Sequence, residues 1–275
     1  MGYMKYLKMN DGHEIPMVGT GTNTFGKEGD EFMGRINYDT HELHSAIKLG
    51  YRLIDTAIFY RNEAVIGKAV NESGIDRNAF FITSKIPNEP EYTENEETVR
   101  THVAQSLKLL DMEYIDLYLI HFPLKTHEEN LRVWRVLETC VEKGLIKSIG
   151  VSNFNEAQLA HLIKHARIKP VLNQFQSYPG NHRQRLIDFC KANAIIPEAY
   201  QSLTKLDDKT KDTLKEIAKP YHKSWSQIVL NYQVNQGMVV IPKSHNPTHQ
   251  SENIDVFDFQ LTKEDTETIK KMNSH

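Results

Sequence analysis

Cysteine is scarce in this sequence, with Cys140 and Cys190 as the only two in 275 residues. Both fall inside helical patterns and match no metal-ligand spacing, so no metal site is expected, and two thiols without a disulfide framework indicate a reducing compartment. The sequence does not open on a long apolar segment, so we expect neither a signal peptide nor a membrane span. It lacks a basic run and its formal net charge is -3, which argues against a nucleic-acid or anionic-membrane surface. These features are typical of a cytoplasmic protein.

A glycine-rich phosphate loop is missing as well. Gly19-Thr20-Gly21 begins like a dinucleotide-binding turn, but Thr24 stands where G-x-G-x-x-G requires its third glycine. There is no Walker-type loop either. A doubly wound open sheet usually carries such a turn after its first strand, so the absence disfavours that architecture.

The sequence instead shows a regular alternation of short apolar runs with amphipathic helical patterns. The eight runs lie at residues 17–19, 53–54, 80–83, 115–120, 146–151, 171–172, 195–196 and 238–241. Strict alternation indicates right-handed βαβ units and a parallel sheet. We therefore predict an α/β fold, a (β/α)8 TIM barrel, formed by a single domain over residues 1–275. Residues 6–17 add a predicted β-hairpin that turns at Asn10-Asp11-Gly12.

Helix starts are marked by capping pairs, in which a polar residue is followed three positions later by Glu or Gln. The pairs are Thr93 with Glu96, Thr126 with Glu129, Asn155 with Gln158, and Ser224 with Gln227. Gly50 is predicted to end an earlier helix, because glycine tolerates the left-handed conformation common at that position.

Four polar residues suited to proton transfer follow the second, third and fourth runs. They are Asp55 and Tyr60 after the second run, Lys85 after the third and His121 after the fourth. Each alone has an ordinary structural explanation, such as a capping carboxylate or a solvated lysine. In a barrel these strand ends share one face and can converge. Lys85 is then expected to lower the pKa of the Tyr60 phenol, since an ammonium favours the phenolate. Asp55 would hold Lys85, and His121 would orient a substrate carbonyl.

A different use of Lys85 is as the nucleophile of a Schiff-base lyase or aldolase. That chemistry needs a lysine with a depressed pKa. An adjacent Asp55 carboxylate would raise the pKa instead.

Six separate motifs together resemble those of the aldo-keto reductases over nearly the whole chain. They are Gly-Tyr-Arg-Leu-Ile-Asp-Thr-Ala at 50–57, Tyr60 with Asn62-Glu63, Thr83-Ser84-Lys85, Leu119-Ile120-His121-Phe122-Pro123, Gly150-Val151-Ser152-Asn153-Phe154, and Ile241-Pro242-Lys243-Ser244. The resemblance implies a barrel closed at the bottom by a hairpin, and hydride transfer from a reduced nicotinamide to an aldehyde or ketone. It also implies that Tyr60 is the general acid, supported by Lys85, Asp55 and His121. The alternative is a slow, nicotinamide-binding regulatory protein with the same fold.

The resemblance further implies a set of cofactor contacts. Ser152, Asn153 and Gln174 would hold the nicotinamide carboxamide, and Tyr200 would stack on the ring. The other implied contacts are Gly21, Thr22, Gln201 and Leu203, with Lys243, Ser244 and Asn246 at the 2′-phosphate and Glu252 and Asn253 at the adenine. NADPH is the expected cofactor and NADH the alternative, because His249 stands where relatives usually carry an always-charged arginine.

The substrate side departs from the family pattern. Asn23 and Pro87 replace aromatic residues common in relatives, and the sequence ends at His275 without a long tail. We expect a wide, polar mouth at Asn23, Pro87 and His121, partly refilled by the loop at 23–38, that accepts varied small aldehydes, ketones or dicarbonyls. A monomer is expected.

Overall fold

A short β-hairpin opens residues 4–272, the part of the chain that the computed structural model describes; His275 lies outside it. Strand β1 (Tyr6–Lys8) pairs antiparallel with β2 (Glu14–Pro16). The turn is closed by the Met9 amide, which donates to the His13 carbonyl at 2.8 Å. Gly12 adopts a φ of 96° there, which side-chain-bearing residues rarely tolerate. The predicted hairpin is confirmed.

Eight parallel strands follow and close into a barrel. They are β3 (Gly19–Gly21), β4 (Leu53–Asp55), β5 (Phe81–Ile86), β6 (Ile115–Ile120), β7 (Ile146–Ser152), β8 (Leu172–Gln176), β9 (Ile196–Tyr200) and β10 (Val239–Val240). Each pairs with its sequence neighbour. A bridge between Val18 and Val240 joins the two ends, with the Val240 amide donating to the Met17 carbonyl at 3.0 Å. The predicted (β/α)8 barrel is confirmed.

Helices lie between the strands and around the barrel. They are α1 (His41–Leu49), α2 (Glu63–Glu72), α3 (Pro90–Thr93), α4 (Glu96–Leu110), α5 (His127–Glu142), α6 (Glu156–His165), α7 (Gln184–Ala192), α8 (Asp208–Ala218), α9 (Trp225–Asn235), α10 (Pro247–Ile254) and α11 (Lys263–Lys270). In the described residues, no helix combines the length and apolar character needed to cross a bilayer.

Three of the four predicted capping pairs are present, and the fourth is wrong. Reciprocal side-chain and backbone bonds occur at the starts of α5, α6 and α9. Helix α4 is capped by Asn95, whose side chain accepts from the Thr98 amide at 3.0 Å. Thr93 instead ends α3, where its hydroxyl donates to the Glu89 carbonyl at 3.0 Å. A better-placed asparagine two residues on therefore takes the capping role.

The barrel interior is apolar at the bottom and polar at the top. The lower cluster of buried side chains includes Leu53, Phe81, Leu117, Leu172, Ile196 and Val239, with Ile15 of the hairpin beneath them. Asn10 ties the hairpin to the barrel, because its amide donates to the Pro170 carbonyl at 2.9 Å and the Ala194 carbonyl at 3.1 Å. The strands run past their predicted apolar ends: β5 continues through the buried, polar Ser84 and Lys85. Polar side chains thus enter the barrel from its carboxyl end.

The capping box of α5 gives a testable stability contribution. The Thr126 hydroxyl accepts from the Glu129 amide at 3.1 Å, and the Thr126 amide donates to the Glu129 carboxylate at 2.9 Å. We expect Thr126→Ala to lower the free energy of unfolding by about 1 kcal/mol, measured by urea denaturation. Thr126→Ser keeps the hydroxyl and should stay near the parent. Equal stability of Thr126→Ala and the parent would contradict this role.

Candidate active site

The four residues predicted to transfer protons converge at the carboxyl end of the barrel. Asp55 ends β4, Lys85 is the penultimate residue of β5, and His121 directly follows β6. Tyr60 ends the 3₁₀ turn Ile58–Tyr60. The Lys85 ammonium lies 5.0 Å from the centre of the Tyr60 ring, and the rings of Tyr60 and His121 meet edge to face with centroids 5.7 Å apart. Strand ends that are 30 to 66 residues apart in sequence thus form one cluster.

An ion pair is the base of this cluster. The Lys85 ammonium donates to Asp55 Oδ1 at 2.6 Å and to the Thr56 carbonyl at 2.9 Å. Both charged side chains are almost fully buried, at 0% and 2% exposed. Burial alone would lower the pKa of Lys85, but the neighbouring Asp55 and Tyr60 outweigh it and the pKa is raised. Lys85 therefore stays an ammonium.

The phenol of Tyr60 has a raised pKa, which corrects the expectation that Lys85 would lower it. Burial of the phenol is the largest cause, and Lys85 only partly opposes it, while Asp55 adds to the increase. An anion buried in a low-dielectric site is costly, and one shared ammonium does not offset that cost. Tyr60 therefore carries its proton at neutral pH.

The imidazole of His121 is neutral. Burial, followed by the nearby Lys85 ammonium, lowers its pKa to about 2. Its Nδ1 is buried and has no hydrogen-bond partner among the described residues. A neutral imidazole can donate one hydrogen bond to a carbonyl oxygen without competing with Tyr60 as an acid.

The residues assigned to the nicotinamide lie on the adjoining strand ends. Ser152 and Gln174 are buried on β7 and β8. The Asn153 amide donates to the His121 carbonyl at 3.1 Å and to Ser152 Oγ at 3.0 Å, and its oxygen accepts from the Tyr200 hydroxyl at 2.9 Å. These bonds join the strand ends into one polar rim.

Three residues in the left-handed region adjoin this rim. Arg61, Asn153 and Gln201 have φ values of 60°, 63° and 55°, and each directly follows a predicted site residue. Non-glycine residues adopt this conformation rarely, and such strain concentrates at functional sites. The chain therefore turns sharply directly after Tyr60, Ser152 and Tyr200.

A cleft of about 420 Å³ opens above the cluster. Twelve sequence-predicted residues line it: Gly21, Thr22, Asn23, Asp55, Tyr60, His121, Asn153, Gln174, Tyr200, Gln201, Leu203 and Lys243. Lys85 and Ser152 lie buried beneath its walls. Ser244, Asn246, His249, Glu252 and Asn253 lie at or on α10, to one side. Pro87 is buried and is not among the described residues that line the cleft, so its assignment to the substrate pocket is not supported.

Lys243 has neighbours that sequence analysis missed. Its ammonium donates to Thr24 Oγ1 at 2.7 Å and lies 3.2 Å from His245 Nε2. His245 Nδ1 in turn bonds the buried Glu42 carboxylate and lies 3.5 Å from Asp30. Those two carboxylates and the imidazole are close enough to share a metal ion, but the Lys243 ammonium beside them disfavours a cation. Lys243 is held by Thr24 and His245, four residues before α10 begins.

The mouth of the cleft is aromatic, which corrects the expectation of a polar mouth. Phe32, Phe59 and Phe122 all line it. Phe32 comes from the loop at 23–38, and its ring lies 5.6 Å from that of Phe59 and 6.1 Å from that of Tyr60. Asn23 lines the cleft as expected, but the loop adds apolar surface over it. The conformation of so long a loop cannot be predicted from local sequence patterns.

One lysine fixes that loop from within. The buried Lys27 ammonium donates to the Asn23 carbonyl at 2.8 Å and to the Phe32 carbonyl at 2.6 Å. Arg61 donates to the Phe32 and Gly34 carbonyls from outside, at 3.2 Å each. Burial, then Arg61 and Lys243, lowers the pKa of Lys27 to about 8. The ring of Phe32 is therefore held over the mouth by charge-assisted bonds to its own backbone.

Glu198 is a buried carboxyl group that sequence analysis did not assign. It lies on β9 two residues before Tyr200 and is 0% exposed. Its inward orientation could have been predicted from the two-residue period of a strand, because residues at i and i+2 share a face. A carboxyl group on the same face as Tyr200 must point into the barrel.

Comparisons with known proteins agree with this architecture. The model of the Aldo/keto reductase family matches residues 17–274. Glyoxal reductase of Bacillus subtilis (strain 168) is 39% identical over 267 residues, covering 97% of this chain and 92% of the relative. Methylglyoxal reductase DkgA of Escherichia coli (strain K12) is 33% identical over 271 residues, with 97% and 92% covered.

Two solved structures extend the match to three dimensions. An aldo/keto reductase from Brucella melitensis superposes with a TM-score of 0.88 at 38% identity, covering 98% of this chain and 99% of that one. A Bombyx mori aldo-keto reductase in complex with NADP gives 0.89 at 34% identity, covering 99% and 94%. Sequence and fold therefore match over nearly the full length of both partners, and this protein belongs to the aldo/keto reductase family.

Proposed function

We propose that this protein reduces small aldehydes, ketones or dicarbonyls to alcohols with hydride from NADPH, and that Tyr60 is the general acid. The observation that carries the proposal is the buried cluster of Asp55, Tyr60, Lys85 and His121 under a single cleft. Relatives named as glyoxal and methylglyoxal reductases support the substrate class. The described residues of one chain supply the whole cluster, which is consistent with a monomer.

The cleft suits a nicotinamide dinucleotide. Lys243, which lines the cleft, offers a cation to a phosphate, and the positive end of the α10 dipole lies a few residues further along the chain. Asn153 and Gln174 line the cleft with amide groups that can bond a carboxamide, and Tyr200 lies beside them. Ser152 is buried behind Asn153 and accepts a hydrogen bond from its amide. When bound, NADPH supplies the hydride. The residues that the sequence assigns to this cofactor therefore have the right chemistry.

Proton transfer follows from the states of the side chains. A carbonyl oxygen bound near Tyr60 and His121 receives a hydrogen bond from the neutral imidazole, which orients it. The Tyr60 phenol gives its proton to that oxygen as negative charge develops. Lys85 stabilises the resulting phenolate because its ammonium adjoins the ring, and Asp55 holds Lys85 in place.

The two alternatives are less well supported. A regulatory protein with slow turnover would not need all four side chains of the cluster, yet they are present and in contact. A Schiff-base lyase needs a neutral Lys85, whereas Asp55 and Tyr60 raise the pKa of that amine. Turnover of a generic aldehyde with NADPH separates the reductase from both.

Replacement of the phenol tests the acid role. Tyr60→Phe should lower kcat for carbonyl reduction on the order of a hundredfold or more, because the proton donor is lost, while NADPH binding, followed by protein fluorescence, changes little. Tyr6→Phe, on the exposed hairpin at the opposite end of the barrel, is the matched control. Full activity of Tyr60→Phe would remove Tyr60 from the role.

Restoration of an arginine tests the 2′-phosphate end. His249 is exposed on the first turn of α10. His249→Arg should tighten NADPH about tenfold, since an arginine can form a charge-assisted pair with phosphate, and should leave the Kd of NADH nearly unchanged. His102→Arg on α4 is the control for added charge. Equal tightening of both cofactors would refute the placement.

Truncation of Phe32 tests the aromatic mouth. Phe32→Ala should raise KM for benzaldehyde-type substrates about tenfold, because ring contact is lost, and should change KM for methylglyoxal much less. Met33→Ala, at the neighbouring and 71% exposed position, is the control. A uniform change across both substrate types would show that Phe32 does not select between them.

A further inference from the structure

Glu198 has no role in the proposed proton transfer, although it is buried in the barrel beside the residues that carry it out. The side chain lies inside the barrel, and its Oε1 accepts from the amide nitrogen of Gln174 on the neighbouring strand. Its Oε2 is buried and has no hydrogen-bond partner among the described residues. A buried carboxyl oxygen left in this state is costly, and in a native structure it requires an explanation.

The same Gln174 nitrogen also donates a hydrogen bond to the ion pair of Asp55 and Lys85. It donates to Asp55 Oδ2 at 2.8 Å, while Asp55 Oδ1 accepts from Lys85 at 2.6 Å. One amide nitrogen therefore bridges two carboxyl groups. The chain of contacts runs from Glu198 through Gln174 and Asp55 to Lys85 and the Tyr60 ring.

The charges in this chain do not balance if both carboxyl groups are ionised. The charged groups that face Glu198 are Asp55 on β4 and Lys85 on β5, and its neighbour on β10 is the apolar Val239. A second buried anion would have no cation of its own. Asp55 contacts the ammonium directly, so the proton belongs on Glu198. Burial, with Asp55 second, raises the pKa of Glu198 to about 8.

We propose that Glu198 is a positioning residue of this active site, which in its protonated form fixes the Gln174 amide against Asp55 and on ionisation weakens proton donation by Tyr60. The amide bridge holds the carboxylate that holds Lys85. A new anion in the network further disfavours the Tyr60 phenolate, so the phenol becomes a poorer acid. The part of this inference that concerns turnover rests on the proposed reductase function.

The protonation of Glu198 can be tested without cofactor or substrate. In the infrared spectrum of the folded protein, the carbonyl stretch of a protonated carboxyl group should weaken as the pH rises through about 8, and Glu198→Gln should remove that titrating band. Glu63→Gln, which replaces another buried carboxyl group with a raised pKa, should leave the Glu198 band in place. An identical titration in Glu198→Gln and the parent would overturn the proposal.

Thermal stability gives a second readout with a definite sign. Folding takes up a proton on Glu198 between its ordinary pKa of 4.5 and about 8, so this group's contribution falls as the pH rises through that interval. The Tm of Glu198→Gln minus that of the parent should therefore increase as the pH rises through this interval. Parallel Tm curves would contradict a protonated Glu198.

The pH profile of kcat for carbonyl reduction tests the positioning role. The kcat of the parent should fall as the pH rises above about 8, where Glu198 ionises. Glu198→Gln keeps a neutral group able to bond Gln174, so its kcat should stay within about twofold of the parent at neutral pH and should not show this fall. Glu198→Ala should be about tenfold slower throughout, the equivalent of one lost hydrogen bond; if it does not fold, Glu198→Gln carries the test. Persistence of the alkaline decline in Glu198→Gln would overturn the role. An inactive parent would refute the reductase function instead, while the infrared and Tm results would still decide the protonation.

Discussion

The ion pair between Lys85 and Asp55 is the interaction on which the rest of the site depends. Two charges are almost fully buried in the barrel interior. Their burial is offset only if their contacts are close and their remaining hydrogen bonds are satisfied. The backbone carbonyl of Thr56 and the amide of Gln174 provide those bonds. The strand ends around the pair must therefore keep a fixed register, since a shift of one residue would turn each side chain to the other face.

The same burial sets the protonation states that the chemistry needs. Tyr60 keeps its proton and His121 stays neutral because both lie in a site of low dielectric, next to one shared ammonium. The charge of Lys85 is retained against burial mainly through the Asp55 carboxylate. In the proposed mechanism, the roles of acid, orienting group and electrostatic support thus fall to three different side chains of one cluster, Tyr60, His121 and Lys85.

Much of this could be predicted from the sequence, because polar residues that follow apolar runs mark the ends of parallel strands, and Asp55, Lys85 and His121 were found in that way. Residues whose role depends on three-dimensional surroundings could not be found so. The direction of the Tyr60 pKa shift depends on burial rather than on the nearest charge. Phe32 reaches the mouth through a loop held by Lys27, and no local pattern encodes that path. Glu198 follows the apolar run at 195–196 inside a strand that is longer than the run, and its register with Tyr200 shows that it faces inward.

The hairpin at the opposite end of the barrel determines from which side small molecules can reach the ion pair. Ile15 packs against the apolar interior, and Asn10 ties the hairpin to two barrel carbonyls. The barrel is therefore closed at the hairpin end and is not an open channel. The route to the ion pair that this geometry leaves is therefore the cleft at the carboxyl end, where Phe32, Phe59 and Phe122 line the mouth.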